Sequence, residues 1–318
     1  MVAQNESNEL RIIRRYDAPV QAVWGAWTDP AQVEKWWGPR GFTLTSHSHD
    51  LRPGGHWHYT MHGQDGVDYV NKTKYFEVEP CAKLVYDHGG NEDEARAPLF
   101  RVRVLFSEER GGTRMDLTMT LSTPEAAKEM KDFIKKAGGN ATWDRLAEYL
   151  EHKSTGREQF VINRTFDAPL ETMFEMWTNP KHFSQWLAPT GFQMEFIRSD
   201  IRPGGSTFYF MTGNGAKMFG RAEYRTIDPS GCIVYTQQFC DEHETISRHP
   251  LAPTWPQTML TTVVLTAEGQ DQTRVTVTWE PFGVITKEEL ETFINARTGM
   301  TQGWTGSFDK LEAYLSQV

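Results

Sequence analysis

The chain repeats itself at an interval of 150 residues. Tyr16-Asp17-Ala18-Pro19 returns as Phe166-Asp167-Ala168-Pro169, and Trp27-Thr28-Asp29-Pro30 as Trp177-Thr178-Asn179-Pro180. Trp36 returns as Trp186, and Asp50-Leu51-Arg52-Pro53-Gly54-Gly55 as Asp200-Ile201-Arg202-Pro203-Gly204-Gly205. From Ile12 to Met61 the offset never slips, and 19 of 50 positions are identical, where unrelated sequences of ordinary composition would share roughly one in sixteen. That period is far too long for a solenoid repeat and is the size of a whole domain. The chain is therefore a tandem duplication, with domains expected at 1–152 and 158–318 and a polar, Gly-containing linker from Glu151 to Gln159.

Two domains in 318 residues each have room for a substantial core. The net charge of −9 argues against a nucleic-acid partner. No run of 18 apolar residues exists, so no membrane partner or span is expected. The polar N-terminus lacks a signal-peptide core, and Cys81, Cys232 and Cys240 have neither metal nor redox spacing. Both features fit a cytoplasmic protein. No phosphate loop, nucleophile elbow or zinc signature is present, so no cofactor is expected. Aromatic residues are abundant, with 11 Trp, 10 Tyr and 18 Phe. They can build either a large solid core or the wall of a cavity.

Each copy opens with a strand, Leu10 to Tyr16 and Phe160 to Phe166. Asp17 and Asp167 stand where a helix N-cap belongs, with proline two residues on. Val20, Val23, Trp24 and Trp27 follow at helical spacing, as do Leu170, Met173, Phe174 and Trp177. Pro30 and Pro180 end these helices and begin a second, shorter pair. Arg-Pro-Gly-Gly then joins two strands of a hairpin. Further strands are predicted near 69–79, 83–88, 99–107 and 113–121, and near 217–227, 232–239, 257–267 and 273–280. Each copy closes with a helix headed by a capping box, Ser122-Thr123-Pro124-Glu125 and Thr286-Lys287-Glu288-Glu289. Glycines at 138–139, 299 and 303 predict kinks there.

The Asp-Ala-Pro opening, the Trp-Thr-Asp/Asn-Pro helix end, the later Trp and the Arg-Pro-Gly-Gly turn together resemble the START-like (SRPBCC) superfamily. Within it the chain is similar to the branch named for the activator of the 90-kDa heat-shock-protein ATPase. Gly303-Trp304 with Phe308, Leu311 and Leu315 also matches that branch; the first copy departs there, with Gly138-Gly139 and then Trp143. The resemblance implies an α+β fold of two tandem helix-grip domains, each a curved antiparallel sheet wrapped around a long C-terminal helix. It implies three kinds of role: a binding protein, a cyclase- or dehydratase-like enzyme, or a partner of a chaperone ATPase. The separate N-terminal domain of the activators is not expected in this chain.

Hairpin parity proposes the cavity walls. Trp57, Tyr59 and Met61 share one face and should point toward the closing helix and Trp143. In the second copy Tyr209 and Met211 do the same toward Trp304. The expected ligand is a small apolar or aromatic molecule; the hydroxyls of Tyr59 and Tyr209 either orient it or belong to core tyrosines bonded to backbone or water. Six of the ten histidines lie between 47 and 88. Counting through the turn places His47, His49, His56 and His58 on one outer face; they are candidates for a metal site, but plain exposed histidines are the preferred reading and no metal is expected. The segment from Cys240 to Pro256 has no counterpart in the first copy and is expected either as a loop near the second cavity's mouth or as a plain surface excursion. Phe208 and Phe210 should point outward and meet either the other domain or a second copy of the chain.

Overall fold

The computed structural model describes residues 7–89, 98–136 and 141–318. The chain divides into two compact units that meet at Gly156 and Arg157. In the first, β1 (Glu9–Tyr16) leads into α1 (Val20–Thr28) and α2 (Pro30–Trp36). Six strands follow: β2 (Thr43–His49), β3 (His56–His62), β4 (Asp68–Glu79), β5 (Lys83–His88), β6 (Phe100–Glu109) and β7 (Gly112–Thr120). Helices α3 (Pro124–Lys136) and α4 (Ala141–Thr155) close the unit. The second unit repeats the order with β8 (Phe160–Phe166), α5 (Leu170–Thr178), α6 (Pro180–Trp186), β9 (Phe192–Ser199) and β10 (Ser206–Gly213). Then come β11 (Ala216–Asp228), β12 (Cys232–Cys240), β13 (Met259–Ala267), β14 (Thr273–Pro281), α7 (Lys287–Asn295) and α8 (Arg297–Leu315).

Each unit holds one seven-stranded sheet, ordered β1-β7-β6-β5-β4-β3-β2 and β8-β14-β13-β12-β11-β10-β9, with every pairing antiparallel. This is the α+β class that the repeated motifs imply. One sheet face is apolar because its strands alternate, and the helices cover that face.

The repeated motifs make the same contacts in both units. The Trp36 indole N–H donates to the carbonyl of Ala26 at 2.9 Å, and that of Trp186 to Met176 at 3.0 Å. Thr113 Oγ1 donates to Ala18, and Thr273 Oγ1 to Ala168. The Arg-Pro-Gly-Gly turn needs its two glycines for different reasons. Gly54 and Gly204 adopt positive φ, +82° and +77°. Gly55 and Gly205 approach a backbone so closely that a Cβ would lie 2.1 and 2.2 Å from the carbonyl oxygens of Asp50 and Asp200.

Several local expectations are corrected. Asp17 and Asp167 do not cap α1 and α5; Pro19 and Pro169 occupy the N-cap, without a side-chain bond. Asp29 and Asn179 do cap α2 and α6, accepting the N–H groups of Ala31 and Lys181. Thr286 and Glu289 form a complete capping box. In the first unit the cap shifts by one residue, and Thr123 accepts from Ala126 N–H. Gly299 and Gly303 lie inside an unbroken α8, and the break between α7 and α8 falls at Ala296. The kink expected at Gly138-Gly139 lies outside the described residues.

The histidine face is also corrected. A β-bulge between Ser46 and Ser48 inserts one residue into β2, so His49 pairs with Trp57 rather than facing away from it. His49 therefore turns inward, with its ring 5.8 Å from that of Trp57 and Nε2 3.0 Å from the Tyr75 hydroxyl. His47 stays outside and meets Thr60 Oγ1 at 2.8 Å, while the rings of His56 and His58 lie 6.1 Å apart. Among the described residues no group of three or more His, Cys, Asp or Glu side chains could hold a metal ion.

Candidate functional site

A cavity of about 250 Å³ opens in the second unit between its sheet and α8. Three parts of the fold build it. The sheet supplies the inward-facing residues of β10, β11 and β12, among them Tyr209, Met211, Met218, Gln237 and Phe239. Helix α8 supplies Met300 and Trp304, and β14 adds Trp279. The connection from α6 to β9 supplies Leu187, Pro189 and Phe192.

Each part is held in place by identifiable interactions. Met300, Trp304, Phe308 and Leu311 recur every three to four residues along α8 and are buried. Trp304 packs on Trp177, Trp279 and Phe308, with ring centroids 6.1, 5.5 and 5.4 Å away. Lys310 donates to the carbonyls of Ala188 and Phe192 at 2.9 and 3.0 Å, and Ser307 to that of Leu187 at 2.7 Å. These three bonds tie the α6–β9 connection to α8, and partial burial lowers the Lys310 pKa from its ordinary value.

The segment after β12 reaches the cavity through His249. The Asp241 carboxylate accepts the N–H groups of His243 and Thr245, which tightens the start of the loop. Glu244 pairs with Arg198 of β9 through two bonds of 2.7 and 2.8 Å. Arg248 pairs with Glu289 of α7, and Trp255 packs on Phe293. The loop is thus anchored to the sheet at one side and to α7 at the other. His249 sits between these anchors, its ring 4.5 Å from Phe239. Its Nδ1 accepts the Leu251 N–H at 3.0 Å, so a neutral imidazole carries its proton on Nε2. Burial lowers the His249 pKa, which favours that neutral form.

The lining contains no Asp, Glu, Lys or Arg. Its polar groups are Tyr209, Tyr235, Gln237, His249, Ser307 and the indoles of Trp279 and Trp304. Ser307 is spent on Leu187, and the Trp279 Nε1 is sealed in the wall. Burial pushes the Tyr209 hydroxyl up to about 12, so it stays protonated at neutral pH.

The structure brings Tyr209, Met211 and Trp304 to one cavity. The matching first-unit residues pack together: Trp57 stacks on Tyr59 at 3.9 Å, Trp37 contacts both Trp57 and Trp143, and Trp143 stacks on Trp27 at 5.4 Å. Met61 packs at the edge of the same cluster. Tyr59 is wholly buried, and its hydroxyl lies 3.3 Å from His88 Nδ1. Phe208 and Phe210 face away from the cavity. The Phe208 ring stacks on Phe219 at 6.0 Å, and Lys217 Nζ lies 4.1 Å above Phe210, so neighbours in their own sheet cover part of both rings.

Sequence reasoning missed Met218, Gly220, Gln237, Phe239 and His249 as cavity residues. Gly220 carried a signal, since a glycine inside a strand marks a close approach. His249 carried one too, lying in the segment that only the second copy has.

The family model described as activator of Hsp90 ATPase homolog 1-like protein matches residues 17–151 and again residues 167–316. No curated protein matches the chain. Among solved structures, protein Ms6760 of Mycobacterium smegmatis is 29% identical across 44% of this chain and 89% of its own, with a TM-score of 0.39. A protein of Arthrobacter aurescens is 26% identical across 46% of this chain and 88% of its own, at 0.42. The AHSA1 protein of Silicibacter pomeroyi is 17% identical across 50% of this chain and 98% of its own, at 0.39. No helix among the described residues is long and apolar enough to cross a membrane. The chain belongs to the family of activator of Hsp90 ATPase homolog 1-like proteins and carries its domain twice.

Proposed function

We propose that the second domain binds a small, uncharged, largely apolar or aromatic molecule in its cavity. The observation that carries this reading is the lining itself: aromatic rings and methionines with no ionised side chain among them. Apolar surface removed from water there contributes about 25 cal/mol per Å². An anionic or cationic ligand would lose its hydration without gaining a counter-charge, which costs several kcal/mol. Benzene fills a cavity of about 150 Å³, so the larger and partly open space here suits a molecule of about two to three rings.

The test uses N-phenyl-1-naphthylamine, an uncharged probe that brightens in apolar surroundings. Its fluorescence should rise with saturation on the full chain. Met211→Trp fills the space with a side chain and should weaken binding at least tenfold. Met61→Trp alters the equivalent position of the first domain and should leave binding intact. Loss of the signal in the Met61 variant alone would move the site to the first domain.

The cyclase- or dehydratase-like reading draws on the presence of Tyr209 and His249 in the same cavity. It predicts turnover of a bound compound, whereas the binding reading predicts its recovery unchanged.

A further inference from the structure

The two domains treat the same tyrosine differently. Tyr59 faces Asn71 across the β3–β4 pairing, and Tyr209 faces Gly220 across β10–β11. A Cβ at Gly220 would lie 2.6 Å from both Cζ and the hydroxyl of Tyr209. The ring of Tyr209 therefore lies across β11, over the place where any other residue would put its side chain. In the first domain the buried Asn71 occupies that position, and the Tyr59 hydroxyl meets His88 instead.

Gly220 pairs in turn with Phe239 of β12, and Phe239 carries the His249 ring against it. The hydroxyl of Tyr209 and the imidazole of His249 are thus gathered around one Gly220–Phe239 pair on the cavity wall. Gln237 stands two residues along the same strand and occupies the strand position that His88 holds in the first domain. No protein group among the described residues bonds the Tyr209 hydroxyl or the Gln237 amide, and neither is sealed from the cavity. In a native protein such groups are satisfied by water or by a ligand.

We propose that Gly220 sets the cavity's specificity: it lets the Tyr209 hydroxyl, with His249 and Gln237 beside it, read a carbonyl-type oxygen on an otherwise apolar ring compound. All three groups can donate a hydrogen bond, and the Nε2–H of neutral His249 can only donate. An acceptor oxygen satisfies such a set, and a pure hydrocarbon leaves it unpaired at a cost. The inference rests on the binding reading given above and narrows the class of ligand.

The test compares 1-tetralone with tetralin, which share a two-ring frame and differ in the carbonyl. Binding to the full chain is measured by calorimetry. The wild type should prefer 1-tetralone by about three- to tenfold, the range expected for one net hydrogen bond. Tyr209→Phe should erase the preference while leaving tetralin affinity within about twofold. Gly220→Ala should do the same by displacing the tyrosine. If that variant fails to fold, Tyr209→Phe and His249→Phe still decide the matter. Equal affinity of the wild type for both compounds would overturn the carbonyl assignment and leave the binding reading standing. Failure of both compounds to bind, while N-phenyl-1-naphthylamine does, would overturn this ligand class alone. Failure of all three would overturn both readings.

Discussion

A single partly buried imidazole shows how far the two copies have diverged. Burial holds the His88 pKa down at about 4, against an ordinary value of 6.5, and its ring stacks on Phe100 at 4.8 Å. Once unfolded, His88 takes up a proton near pH 6.5; folded, it resists protonation to about pH 4. Its neutral burial is therefore harmless above pH 6.5, and stability is lost as pH falls from there toward 4, by roughly 3 kcal/mol in all. His49, also lowered by burial, acts in the same direction. Gln237 at the matching position does not titrate. Urea unfolding of His88→Gln should show a flatter stability profile between pH 6.5 and 4 than the parent. An unchanged slope would contradict the burial argument. At the same scale, the bulge that separates His49 from His47 predicts that zinc leaves the melting temperature unmoved. A zinc-induced rise that His58→Ala abolishes would show that the histidines gather after all.

At the scale of elements, the closing helices and the mouth loop share one residue. Glu289 accepts the Thr286 N–H in the capping box and also pairs with Arg248 of the loop. Thr286→Ala should cost about 1 kcal/mol through the lost cap. Glu289→Gln should keep part of the cap and weaken the loop's anchor. Hydrogen exchange should then quicken across 246–256 while the second sheet keeps its protection; unchanged exchange in the loop would show that Glu244 and Trp255 hold it alone. Much of this architecture was legible in the sequence. The helical spacing of Val20, Val23 and Trp27, the prolines that open α2 and α6, and the glycine turns are local signals, and local chemistry determines them. The inward parity of Trp57, Tyr59, Tyr209 and Met211 was readable because a sheet with one covered face must alternate. What failed were features that depend on neighbours distant in sequence. A bulge changes parity without changing composition, so His49 was placed on the wrong face. Gly220 matters through a ring on the adjacent strand, and His249 reaches the cavity on a loop held by Arg198 and Glu289, both distant in sequence.

At the scale of the whole molecule, one ancestral domain has been kept twice and tuned differently. In the first domain Trp37, Trp57, Tyr59 and Trp143 pack together as one aromatic cluster; in the second, Tyr209, Met211 and Trp304 line a cavity. The connection is short, since α4 runs to Thr155 and β8 begins at Phe160. Trypsin should cut first at the exposed Arg157 and release two folded fragments. Fragments that stay unfolded would mean that neither domain's core suffices alone. The proposed placement of the binding site in the second domain has a direct readout in the methionines. Met211, Met218 and Met300 line the cavity, whereas Met115 and Met119 are buried in the first domain's core. The full chain, labelled with ¹³C at its methionine methyl groups, should be titrated with 1-tetralone and followed by NMR. The account predicts saturable shifts confined to Met211, Met218 and Met300. Shifts centred on Met115 and Met119, or no saturable shift at any methionine, would contradict it.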